Sequence, residues 1–144
     1  MITLKSERDL EGLRRAAALV GEAHAEVARR VRPGVATGEL DRVAEEVLRD
    51  AGGRPAFKHY EIPGTTPYPA TLCISVNDVV VHGIPGAYRL REGDVVSVDC
   101  GVELDGYFGD FAYTYAVGEV TEEKARLLSV TKQSLYEGIS HTFE

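Results

Sequence analysis

Apolar positions divide the chain into a helical first third and a strand-rich remainder. Leu10, Leu13, Ala17, Val20, His24, Val27 and Val31 recur at alternating spacings of three and four, which predicts one stripe of an amphipathic helix. Ser6, with Asp9 three residues later, forms a capping-box signature at its start, and Pro33-Gly34 predicts its end. Thr37 is placed to cap a second helix with an apolar stripe of Leu40, Val43, Ala44, Val47, Leu48 and Ala51, stopped by Gly52-Gly53. The segment PAFKHYEIPGTTPYPAT is punctuated by proline and predicts an ordered surface loop.

Beyond that loop the period shortens. Leu72 to Val76 and Val79 to His82 read as two short strands around an Asn77-Asp78 turn. Val95 to Val102 is rich in β-branched residues, Asp105-Gly106 is a hairpin signal, and Tyr107 to Val117 is the return strand. A third helix is expected from Thr121 to about Ser140, with Leu127, Leu128, Leu135 and Ile139 as its apolar positions. Strands clustered together, with helices before and after, predict an α+β layer of helices on an antiparallel sheet.

The hairpin carries the candidate chemistry. If Asp105-Gly106 is a two-residue loop, Gly101 stands opposite Asp110, and Asp99 lies on the same face one diagonal step away. If the loop is Leu104-Asp105, the two aspartates face each other directly. A three-residue loop would separate them. Like charges side by side on a sheet need a proton or a cation to compensate them. Carboxylate oxygens suit hard divalent metals, and a histidine nitrogen extends the range toward Zn, Co and Fe.

Composition changes the picture only by exclusion. The 144 residues are 44% hydrophobic and 27% charged, as in an ordinary globular domain. A net charge of −7 argues against non-specific nucleic-acid or anionic-membrane binding. No run of about 20 apolar residues predicts a membrane span, and the charged start MITLKSERD predicts no signal peptide. Cys73 and Cys100 form no CxxC pair, which fits a reducing, cytoplasmic setting.

The run GDVVSVDCGVELDGYFGD followed by FAYTYAVG resembles the metal-binding segment of type I methionine aminopeptidases. CISVNDVVVHGIPG, residues 73 to 86, resembles the substrate-histidine segment of the same family. The ITLKS start, the RPGV-T-ELD run and GGRPAFK fit as well, so the resemblance covers essentially the whole chain. It implies a pita-bread fold, of which residues 1–144 would be the N-terminal half. It implies two divalent metal ions (Co, Mn, Fe or Zn), with Asp99 on one and Asp110 bridging both. His82 would contact the scissile peptide. Phe57, Tyr60, Tyr68 and Cys73 would form the pocket for a methionine side chain, and Asn77 and Val79 would help to hold a monovalent cation. EIPGTTP is longer than the matching loop in many relatives.

The implied activity is removal of N-terminal methionine from nascent chains, with N-terminal Met peptides as substrates. The family's further ligands, a histidine and two glutamates from a second half, have no match in this sequence. A chain inactive by itself is therefore expected, with a complementary C-terminal half as a possible partner. The alternative is a non-catalytic peptide- or protein-binding module of the same fold.

Overall fold

A computed structural model describes residues 4–61 and 63–143. Helix α1 (Glu7–Ala28) begins at the expected capping box: Ser6 Oγ accepts from the Asp9 amide, and the Asp9 carboxylate accepts from the Ser6 amide at 2.9 Å. It ends at Arg29, ahead of Pro33-Gly34. Its buried face is Gly12, Ala16, Leu19, Val20, Ala23, His24 and Val27, so the stripe is rotated from the expected one and Ala17 is exposed. Small residues at 12 and 16 permit the rotation, because they let a strand lie close against the helix.

Helix α2 (Thr37–Asp50) buries Thr37, Leu40, Ala44 and Leu48. Its N-cap is Ala36 rather than Thr37. The Thr37 hydroxyl is used elsewhere, accepting from the Gly86 amide at 2.9 Å and donating to the Gly86 carbonyl at 3.2 Å.

The sheet is antiparallel and centred on β3 (Val95–Leu104). Strand β4 (Tyr107–Ala116) pairs with β3 over its whole length. The short β1 (Arg54–Pro55) and β2 (Leu72–Val76) share the other edge of β3, end to end. Side chains alternate across a strand, so Val96, Val98, Cys100 and Val102 of β3 join Leu72 and Ile74 of β2 in the core beneath α1 and α2. Burying Leu40, Leu48, Leu72 and Leu90 stabilises the layer by about 1.5–3 kcal/mol each. The opposite face carries Cys73, Ser75, Ser97, Asp99, Asp110 and Thr114.

Helix α3 (Glu122–Ser140) starts at Thr121, whose hydroxyl caps the Lys124 amide, and has no buried residue among those described. Lys124 Nζ donates to the Gly93 carbonyl at 2.6 Å, and the Lys132 ammonium lies 5.9 Å from the centre of the Tyr113 ring. Of the expected apolar positions, Leu127, Leu135 and Ile139 are exposed and Leu128 is half-buried, and Val130 and Tyr136 are exposed as well.

The expected strand Val79–His82 is not formed. Asn77 and His82 take positive φ angles of 51° and 58°, which break the extended run at both ends. Val79 to Val81 are exposed. β propensity reflects fit to a pleated, half-buried surface, and no such surface covers these valines. Among the described residues, no helix is long and apolar enough to cross a membrane.

Candidate functional site

The turn decides the geometry of the polar face. Asp105 and Gly106 both have positive φ, 52° and 83°, and they connect Leu104 to Tyr107 as a two-residue hairpin loop. Gly101 therefore pairs with Asp110, and Asp99 with Ala112. The first of the alternative registers is the one adopted, and both carboxylates lie on one face, one diagonal step apart.

Their position is fixed from the far side of the sheet. Gly109, just before Asp110, is buried against α1, and a Cβ there would run into the backbone of Ala16 and Ala17. His24 Nε2 lies 2.9 Å from the Phe111 carbonyl, and His24 Nδ1 lies 3.0 Å from the Tyr115 hydroxyl. A carbonyl can only accept, so Nε2 carries the proton, and the Tyr115 hydroxyl proton is shared between Nδ1 and the His24 carbonyl at 3.3 Å. Burial holds the His24 pKa below its ordinary value, against the opposing pull of the Phe111 carbonyl.

Asp99 is the anomalous group. Its Oδ1 is buried with no hydrogen-bond partner among the described residues. Burial, then the nearby charge of Asp110, push its pKa above the usual carboxylate range, while His82 pulls the other way. An unpartnered buried carboxylate oxygen beside a second carboxylate is costly unless a cation or a proton completes it. The donor set thus fits a hard divalent ion, although two carboxylates are only part of a full shell. No group of three or more His, Cys, Asp or Glu side chains able to hold a metal occurs among the described residues.

The two aspartates open into a cavity of about 1220 Å³ that is also lined by Phe57, Tyr60, Tyr68, Cys73 and His82. Seven of the nine candidate residues therefore share one space. Phe57 lies over Gly101, where a Cβ would meet its ring, and the Ala56 amide donates to the Gly101 carbonyl at 2.9 Å. Cys73 pairs directly with Asp99 across β2 and β3. Burial raises the Cys73 pKa, and so do the charges of Asp99 and Asp110, whereas a hydrogen bond with Tyr68 opposes the rise. Tyr60 is largely exposed at the rim.

The loop over the cavity is irregular, as expected, and closed at its base. His59 N donates to the Tyr68 carbonyl at 2.8 Å, and Tyr68 N to the Tyr60 carbonyl at 3.0 Å. Lys58 Nζ anchors the loop to α2 through Glu45, at 2.7 and 2.9 Å from its two oxygens. Glu45 is thus half-buried and paired.

Asn77 and Val79 do not line this cavity. The Asn77 side chain donates to Asp94 Oδ1 at 2.8 Å and accepts from the Val95 amide at 3.1 Å. Asp94 also accepts from the Tyr88 hydroxyl and the Arg91 amide. Burial pushes the Asp94 pKa upward, but these three hydrogen bonds outweigh it and hold the group below its ordinary value. Sequence reasoning passed over Ser75, on the same face as Cys73, because its partner is a backbone amide eight residues away.

The profile of metallopeptidase family M24 matches residues 11–144, and the chain belongs to that family. It is 44% identical over 143 residues to a methionine aminopeptidase of Clostridium perfringens, covering 99% of this chain and 55% of that protein. It is 41% identical over 139 residues to methionine aminopeptidase 1 of Bacillus subtilis, covering 96% and 54%. The crystal structure of methionine aminopeptidase from Rickettsia prowazekii superposes with a TM-score of 0.90 at 34% identity, over 96% of this chain and 54% of that one. The fold is thus the α+β pita-bread type expected, and the chain spans about half the length of these relatives.

Proposed function

We propose that this chain contributes Asp99, Asp110 and His82 to a metal-dependent aminopeptidase that removes N-terminal methionine. The observation that carries the reading is the carboxylate pair, with one Asp99 oxygen buried and unpartnered beside Asp110. Asp99 and Asp110 would hold divalent ions, of which Co, Mn, Fe and Zn all suit a mixed carboxylate and histidine shell. The chemistry such ions supply is activation of water and polarisation of the scissile carbonyl.

The chain's own residues do the rest. Phe57, Tyr68 and Cys73 give an apolar wall suited to an unbranched thioether side chain. His82 faces the same cavity and would donate to charge developing on the carbonyl oxygen. Asn77 and Val79 would help to hold a monovalent cation, away from this cavity.

We further propose that residues 1–144 form the N-terminal half of the catalytic unit. Two carboxylates need further ligands, and the exposed apolar positions of α3 and of Val79–Val81 need cover. The test is methionine release from a Met-Ala-Ser peptide with Mn(II) or Co(II), using the chain with and without the C-terminal half of the C. perfringens relative. Release that needs the added half, and is lost in Asp110→Asn and His82→Ala, supports the reading. Release at an ordinary rate by the chain alone overturns the shared-site proposal. No release under any condition overturns the peptidase proposal.

A further inference from the structure

His82 has a positive φ yet is fully formed as part of the cavity wall, so something must hold its backbone there. A non-glycine residue is disfavoured in the left-handed region. The valines before it, Val79 to Val81, are exposed and offer little packing to offset this. The restraint lies in the next residue. The Gly83 amide donates to Ser75 Oγ at 3.1 Å, and the Gly83 carbonyl accepts from the Ile74 amide at 2.7 Å and from the Tyr68 hydroxyl at 3.0 Å. Gly83 lies so close to β2 that a Cβ would collide with the Ile74 carbonyl. Gly83 is thus held to β2 through its amide on one side and its carbonyl on the other.

We infer that Ser75 and Tyr68 are positioning residues that clamp Gly83 to β2 and thereby aim His82 into the carboxylate cavity. The inference rests on the peptidase reading for its catalytic consequence, but the clamp itself does not. Ser75 is buried, so water replaces its hydroxyl poorly once it is removed. The single Tyr68 hydroxyl proton is shared between the Leu72 and Gly83 carbonyls, both at 3.0 Å. This hydroxyl is therefore a clamp rather than a free donor to substrate.

The test uses NMR on the full chain. In Ser75→Ala, Gly83 amide exchange should accelerate about fivefold, the value of one lost hydrogen bond of ~1 kcal/mol. The amide-to-Hα coupling of His82 should move from its wild-type value, and protection of Val98 should persist. Ser75→Thr keeps the hydroxyl and should restore both signals. If Ser75→Ala loses Val98 protection, Tyr68→Phe reads the same coupling while leaving every side chain of β2 in place. Wild-type values for Gly83 and His82 in both Ser75→Ala and Tyr68→Phe would overturn the clamp. In the complemented peptide assay, Ser75→Ala should lower kcat roughly 10- to 100-fold with KM little changed. A shifted His82 coupling with unchanged kcat would overturn the positioning role. A wild-type protein that releases no methionine would count against the peptidase reading alone, leaving the NMR result to decide the clamp.

Discussion

Asp99 and Asp110 stand on neighbouring strands, on one face, with Gly101 opposite Asp110 and Ala112 opposite Asp99. That diagonal follows from a two-residue turn and a glycine seated against a helix. It places two acids in one cavity, with an oxygen of the more buried one unpartnered.

Removing one of these charges should improve the metal-free fold. Asp99 has a raised pKa, so its ionised form is disfavoured in the folded state at neutral pH. Asp99→Asn should therefore melt a few degrees higher than wild type in EDTA, corresponding to about 1 kcal/mol. It should also lose the stabilisation by Mn(II), which for wild type reaches about 2.7 kcal/mol at a hundredfold excess over Kd. Differential scanning calorimetry with and without Mn(II) checks both effects.

The seat of Asp110 depends on Gly109. A side chain there would meet the backbone of Ala16 and Ala17, which cannot move without displacing α1. Gly109→Ala should cost about 1–3 kcal/mol, as overpacking does in a tight interior. A urea melt measures it. Gly21→Ala serves as the control, since a Cβ there meets nothing.

The turn is a separate site of failure. Gly106 has a φ of 83°, which β-branched residues rarely adopt. Gly106→Val should destabilise the hairpin by about 1–2 kcal/mol. In chemical-shift maps the change should centre on β3 and β4 and leave α2 little affected.

His24 makes stability depend on pH. Its folded pKa is lowered, so in the window below 6.5 the unfolded chain binds more protons than the folded one. The contribution of neutral His24 is therefore complete above 6.5 and is lost as pH falls from there through the folded pKa. Urea melts from pH 5 to 7.5 should show this fall, and His24→Gln should flatten it.

What could be read from the sequence was mostly local. The Ser6–Asp9 cap and the Asp105-Gly106 turn are set by residues close in the chain, and both form as expected. The carboxylate pair followed from that turn once a two-residue loop was assumed. The Val79–His82 strand failed because its apolar run finds no partner surface among the described residues. The face of α1 was legible at Val20, His24 and Val27 but not at Gly12, packed under Tyr107, or Ala16, packed under Gly109, which are chosen for smallness rather than hydrophobicity. Ser75 was illegible because its role depends on where Gly83 comes to rest.

The most direct test is a calorimetric titration of the metal-free chain with Mn(II), run on wild type, Asp99→Asn, Asp110→Asn and, as a control, Asp78→Asn in the exposed turn. A shared site predicts saturable heat in wild type and Asp78→Asn that disappears in both of the other variants. A wild-type isotherm indistinguishable from buffer, or one that survives loss of either carboxylate, would contradict it.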